Sequence, residues 1–247
     1  MYKRQIYGIA DNTLILGQRL SELCGHGPNL ETDIACTNIA LDLLGQTRSY
    51  YQYVAQLSEN RKTEDEIAFL RTERQYRNVL LVEQPNTHFG YVVIRQFFYD
   101  VFHLLFLEKL QNSKDEILVS IAKKAIKEVR YHQRFSSDWV KRLGDGTEIG
   151  NRKSQEAVDV LWKFTDELFH STEDDKIAIK CGVGIDLTDL KSSYYTIVRG
   201  ILEEATLKVP DHKWFRKGGK EGIHSEHMGY LLSDLQYMQR TYPNMKW

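Results

Sequence analysis

Four long helical stripes, taken two by two across tight breaks and separated by one long central connection, constrain this chain more than any other feature. In residues 6–24, Ile6, Ile9, Ala10, Thr13, Leu16, Gly17, Leu20 and Leu23 fall on one face at the 3.6-residue period. Gly25-His26-Gly27-Pro28 then breaks the pattern. A second helix is predicted over about 31–58, with the stripe Ile34, Ala35, Asn38, Leu41, Asp42, Gly45 and Arg48. The short break makes the two an antiparallel hairpin. Residues 59–86 open on a charged run and close on Glu83-Gln84-Pro85-Asn86, reading as a crossover with one short helix.

The second hairpin follows. Residues 87–111 carry the stripe Val93, Gln96, Phe97, Asp100, His103, Leu104 and Leu107. After a break at residues 112–115, a fourth helix runs to about Leu143 with the stripe Leu118, Ile121, Ala125, Glu128, Val129, His132, Phe135, Trp139 and Leu143, ending at Gly144-Asp145-Gly146. Hairpin, long crossover, hairpin is the topology of ferritin-like bundles, so the expected fold is all-α. Three more helices are expected at about 153–170, 188–207 and 225–241. No linker composition precedes them, so one domain is expected over 1–247, with a bundle core at about 6–143 and additional packed helices at about 153–241.

The bulk chemistry narrows the partners. A formal net charge of -1 gives no reason to expect nucleic acid or an anionic membrane. No apolar run reaches the roughly 18 residues of a membrane span, and the first twenty residues do not read as a signal peptide. Cys24, Cys36 and Cys181 form no metal-spaced or paired pattern. The expectation is a cytoplasmic protein.

A ferritin-like oxygenase holds two metals with one Glu from each of two helices and Glu-x-x-His from each of the other two. The corresponding step on the second helix is Asp42-Leu43-Leu44-Gly45, with glycine in place of histidine. The facing position on the first helix is near Thr13; Asp11, the only acid nearby, is expected to point out of the stripe. On the fourth helix the motif reads Val129-Arg130-Tyr131-His132, with valine in place of glutamate. What remains inside is Asp42, Asp100, His103, Glu128 and His132, too uneven a set for two metals. One reading pairs these residues with one another, as Asp100 with His132 or Glu128 with His103, because buried charge must be paired. The other is a single-metal site, and with it a metal-dependent oxidase using the residual acids and histidines.

Residues 216–229, RKGGKEGIHSEHMG, place Gly218, Gly219 and Gly222 with Lys217 and Lys220 before a helix start. Backbone amides at such a place could hold a phosphate, but no strand precedes it and the P-loop spacing is absent. His224, Glu226 and His227 read as helix-start residues rather than metal ligands. Lys213, Trp214, Phe215 and Arg216 bring basic and aromatic side chains together on a loop, a composition enriched at interfaces.

The stretches NIALDLLGQ (38–46), LLVEQPN (80–86), KAIKEVRYHQRF (124–135), WVKRLGDGT (139–147) and GGKEGIHSEHMG (218–229) run in order along nearly the whole chain. Together they resemble the phenylacetate catabolic family of ferritin-like proteins, on the side of its structural subunits. The resemblance implies a place in an oxygenase complex that epoxidises phenylacetyl-CoA. A related A-type subunit would carry the di-iron site, and a separate reductase would supply electrons through NADPH, FAD and an iron–sulfur centre. For this chain it implies a non-catalytic partner in a hetero-oligomer with no cofactor of its own. The basic and aromatic composition of Lys213, Trp214, Phe215, Arg216, Lys217 and Lys220 points to a contact with a partner chain or with CoA phosphates; the alternative is that the aromatics anchor this loop to its own bundle.

Overall fold

A computed structural model describes residues 3–58, 62–211, 214–243 and 245. Among them every regular element is helical. The first hairpin is α1 (Lys3–Ser21) and α2 (Leu30–Gln56). Its turn is closed by Asp33, whose carboxylate accepts from the amides of Gly25 and Gly27, both at 2.9 Å. Gly25 sits at φ +82°, where a side chain would be strained. Asn29 caps α2, its Oδ1 accepting from Thr32 N at 2.9 Å.

The crossover is more structured than its charged composition indicates. It contains α3 (Glu64–Phe69), a 3-10 turn at Glu73–Gln75 and α4 (Leu80–Glu83). Thr63 and Glu66 form a complete capping box on α3, and Thr72 and Gln75 form another on the 3-10 turn. The second hairpin is α5 (Phe89–Leu110) and α6 (Glu116–Gly144), the latter capped by Asp115. By length and composition α5 alone among the described helices could cross a membrane, and 89% of its apolar window is buried in the protein. It is the central helix of the fold.

The remaining elements are α7 (Glu148–Leu161), a 3-10 segment Trp162–Phe169, α8 (Glu173–Lys180), α9 (Thr188–Glu204), a 3-10 turn Gly219–Glu221 and α10 (Glu226–Thr241). The helix expected at 153–170 starts earlier, on the Thr147 cap, and tightens at Trp162. The three-residue period lines up Trp162, Thr165 and Leu168, all buried. Phe98 of α5 meets Trp162 edge-on at 5.7 Å, fixing this segment to the bundle. α8 falls between the expected helices; its signal was the box Thr172-x-x-Asp175. One apolar core cluster includes residues of α1, α2, α5, α6, α7, α9 and α10.

On α2 the buried face is not the stripe read from the sequence. Cys36, Ile39, Ala40, Leu43, Gln46, Thr47, Tyr50 and Val54 are buried, whereas Ile34 is 50% and Leu41 61% exposed. Both faces carry apolar residues at helical spacing, and the packing of α1 and α6 selected the other one.

Candidate functional site

The polar residues inside the bundle come from α1, α2, α5 and α6. Asp100 on α5 is fully buried. Its Oδ1 accepts from Gln96 Nε2 at 2.6 Å, one turn back on the same helix. Its Oδ2 accepts from Ser136 Oγ of α6 at 2.8 Å. Burial pushes its carboxyl up to about 7, against the pull of His132 and of these two bonds. His132 on α6 is also fully buried, and its Nε2 meets Asp42 Oδ2 of α2 at 3.0 Å. Glu128 accepts from Gln46 Nε2 at 2.9 Å. Thr13 and Thr47 pair their hydroxyls at 2.8 Å, with Thr13 Oγ1 3.0 Å from the Ala10 carbonyl.

The structure brings His132 to Asp42 and near Asp100, with Glu128 one turn away on α6 against Gln46, and pairs them differently from the sequence expectation. Asp42 and Glu128, expected inside, lie at the half-exposed edge of the bundle, because α2 turns its other face inward. Neither Asp100–His132 nor Glu128–His103 is a hydrogen bond. Gln96, Ser136 and Gln46 are closer partners, and His132 turns outward to Asp42. His103 is 1% exposed, and neither ring nitrogen has a partner. Burial first, then the proximity of His132, pushes its imidazole down to about 3. Thr13 and Val129 lie inside the bundle. Gly45 does not: it is on the exposed side of α2, where an added Cβ would meet open space. The reason is the α2 rotation described above.

This donor set does not fit two metals. Each of the three carboxylates is already held by a protein hydrogen-bond donor or by His132, and the α1 level is closed by the threonine pair. Among the described residues no group of three or more His, Cys, Asp and Glu side chains could hold a metal ion. What the cluster can do is set core polarity. Because Asp100 is held protonated more readily folded than unfolded, stability should fall as pH rises from about 4 to about 7. Asp100→Asn should remove that slope. In urea melts it should be more stable than the parent by about 1 kcal/mol or more at about pH 8, and close to it at about pH 4. An unchanged slope would show that Asp100 ionises freely in the folded chain.

Two further buried clusters carried little sequence signal. Asp11, expected to point away from the core, is completely buried. Its Oδ1 accepts from Tyr51 Oη and Arg71 Nη2, both at 2.5 Å, and its Oδ2 accepts from Arg71 Nη1 at 3.0 Å and Arg77 N at 2.7 Å. The crossover folds over the face of α1 that a two-helix reading leaves to solvent. Glu83, at the end of α4, is equally buried. Its Oε1 meets His224 Nδ1 at 2.6 Å and Asn78 Nδ2 at 3.0 Å; its Oε2 accepts from Ser225 N at 2.8 Å and Ser225 Oγ at 2.6 Å. An acid directly after the apolar run Leu80-Leu81-Val82 was the available clue.

These contacts decide the glycine-rich stretch. The Gly218 amide donates to Glu167 Oε1 at 2.8 Å, and the amide before α10 is taken by Glu83. Carboxylates of the chain thus occupy the amides that a phosphate would need. A Cβ at Gly219 would clash with the Asn78 carbonyl, so the glycines serve close backbone packing on the crossover. Lys220, expected at the surface, is turned inward; its Nζ donates to the His170 carbonyl at 2.6 Å and lies 3.5 Å from Asp175. Lys217 is exposed and pairs with Asp166 at 3.2 Å. Phe215 is half-buried against the core, and Lys213 lies outside the described residues.

Trp214 and Arg216 do reach the surface, with Trp214 56% exposed. The Arg216 amide bonds to the Lys163 carbonyl at 2.8 Å. Lys163 Nζ and the Arg216 guanidinium stand 5.9 and 6.0 Å from the Trp214 ring. Burial and the Arg216 charge together push the Lys163 amine down. Beside them runs a groove of about 870 Å³ whose walls include Lys163, Arg216, His88 and His227.

The chain matches the family described as phenylacetic acid catabolic protein over residues 1–247. It is 46% identical to the C-type subunit of the 1,2-phenylacetyl-CoA epoxidase of Escherichia coli (strain K12), over 239 residues that cover 97% of this chain and 96% of that protein.

Proposed function

The chain belongs to the phenylacetic acid catabolic protein family, and on that premise we propose that it is the non-catalytic structural subunit of a phenylacetyl-CoA 1,2-epoxidase in aerobic phenylacetate catabolism. In this reading it works in the cytoplasm, pairs with a related A-type subunit and stabilises it. The A-type subunit carries the di-iron centre, and an NADPH-dependent reductase with FAD and an iron–sulfur centre supplies the electrons. The observation that carries the reading is that each of the candidate carboxylates is already engaged by a group of the chain. Asp100 is held by Gln96 and Ser136, Glu128 by Gln46, and Asp42 by His132. Asp100, which is fully buried, would have to give up both of its bonds before it could ligate, at about 1 kcal/mol or more each.

The chain's own residues then supply rigidity rather than chemistry. The central helix α5 is locked by aromatic packing, the crossover by Asp11 and Arg71, and the C-terminal segment by Glu83 and Glu167. A stiff bundle presents its surface to a partner without an ordering cost on association. Metal analysis of protein expressed with ample iron should find no stoichiometric iron. The isolated chain with the reductase should not turn over phenylacetyl-CoA, whereas adding the A-type subunit should restore turnover. Two irons per chain, lost on His132→Ala, would overturn the reading in favour of an oxidase.

Trp214 and Arg216, braced by Lys163, form the part of the basic-aromatic loop that supports a contact with the partner chain or with CoA phosphates. Aromatic and arginine anchors of this kind contribute about 1–2 kcal/mol or more at interfaces. Trp214→Ala combined with Arg216→Ala should therefore weaken association with the A-type subunit, or binding of the CoA thioester to the complex, by about tenfold or more. Titration calorimetry distinguishes the two. Unchanged values in both would leave the loop without a binding role.

A further inference from the structure

The stripe read from the sequence of α2 faces outward. Glu31, Ile34, Asn38, Leu41, Gly45 and Arg48 are all exposed, Ile34 at 50% and Leu41 at 61%. Their alternating steps of three and four residues are those of the a and d positions of a coiled coil. The opposite face of α2, with Ile39, Leu43, Tyr50 and Val54, already fills the core. The helix thus carries a second seam that the fold of one chain leaves uncovered.

Gly45 shows that the seam is built for contact. Glycine inside a helix is less favourable than alanine, and an added Cβ at Gly45 would meet nothing within 4 Å. The single chain gives no reason for a glycine there, whereas the close approach of another side chain does. Beside it runs a groove of about 230 Å³ between α2 and α6, whose walls include Leu41, Gly45, Ile121 and Lys124. We propose that this face docks a second copy of the chain, α2 against α2, antiparallel about a two-fold axis beside residues 39 and 40.

The register follows from the seam itself. Ile34 of one copy lies over Gly45 of the other and enters the groove beside Ile121. Asn38 meets Leu41, and Glu31 meets Arg48. Arg48 Nε already donates to Glu64 Oε1 at 2.9 Å, but 70% of its side chain stays exposed and its remaining N–H groups can serve a second carboxylate. A slip of one heptad in one direction sets Ile34 against Gln52 and separates the charges. A slip in the other sets Glu31 against Leu41. Every group in the favoured register finds its complement on the same helix of an identical chain, and the two-fold axis makes each contact twice. Such self-complementarity favours a second copy over an unrelated partner, and it does not rest on the structural-subunit reading.

Sedimentation equilibrium of the full chain alone tests the pairing, and it should find a dimer at micromolar concentration. Gly45→Leu has room in the single chain and raises helix propensity. Its melting temperature should therefore hold or rise, while the dimer weakens at least about tenfold because the place of Ile34 is taken. Ile34→Lys should weaken the dimer by a similar factor. Glu31→Arg should weaken it as well, and Glu31→Arg combined with Arg48→Glu should recover much of the loss. A parent chain that stays monomeric at about 100 μM overturns the proposal, as does a dimer that both Gly45→Leu and Ile34→Lys leave unchanged. If the chain alone is monomeric and these two changes instead abolish binding of the A-type subunit, the face belongs to that subunit and the second-copy assignment falls.

Discussion

Asp11→Ala is expected to destabilise the folded chain by about 3–5 kcal/mol, the loss seen when one member of a buried ion pair is removed. Asp11 and Arg71 are joined by two hydrogen bonds, and both are almost fully excluded from solvent. Arg71 also donates to Tyr51 Oη at 2.6 Å and lies over the rings of Tyr7, Tyr51 and Tyr76 at 4.0–5.4 Å. Burial opposes the arginine's charge, but Asp11 and the tyrosines outweigh it and hold the guanidinium protonated. Without Asp11 a cation is left in the core, and the Tyr51 hydroxyl and the Arg77 amide lose their acceptor. Urea melts measure the loss directly. The double change Asp11→Leu with Arg71→Met should recover much of it, because no unpaired charge remains. A loss below about 1 kcal/mol for Asp11→Ala would mean that the crossover does not seal this pair from water.

Glu83→Ala should cost about 3 kcal/mol or more, since it strands donors from His224, Asn78 and Ser225, each worth about 1–3 kcal/mol when left buried. The loss should be accompanied by detachment of the segment before α10, visible as faster proteolysis near residues 218–228. Burial pulls the His224 imidazole down, but its hydrogen bond with Glu83 and the Glu83 charge outweigh this, so it is raised overall. A raised histidine stabilises the fold most fully below the ordinary imidazole value and loses that contribution as pH rises through the folded value. The parent should therefore weaken from about pH 6 upward. Glu83→Gln should flatten that slope while keeping part of the hydrogen bonding. If the slope persists in Glu83→Gln, another group is responsible for it.

The legible part of the fold was local. Gly25-His26-Gly27-Pro28 and residues 112–115 marked both hairpin turns, and the distance between hairpins gave the ferritin-like order of helices. Thr63-x-x-Glu66 and Thr172-x-x-Asp175 are the capping boxes that open α3 and α8, but helices this short carry no long stripe and α8 was not expected. The polar interior was legible as residue types: valine at 129 has no donor atom, and threonine at 13 offers a neutral hydroxyl where a carboxylate is needed. Its pairing was not legible, because Gln96, Gln46 and Ser136 compete with histidine for the same carboxylates, and helix rotation decides among them.

The sequence by itself determined where the four bundle helices run, the order in which they follow one another and which chemical groups they carry. Only the tertiary structure decided that Gly45 and Leu41 face outward, that Asp11 and Glu83 are core acids, and that Lys220 points inward. Helical periodicity defines directions around an axis, but it does not say which direction will hold a neighbour. For α1 and α2 two directions carry apolar residues. The choice between them rests on contacts with segments dozens of residues away, chiefly the crossover and α6.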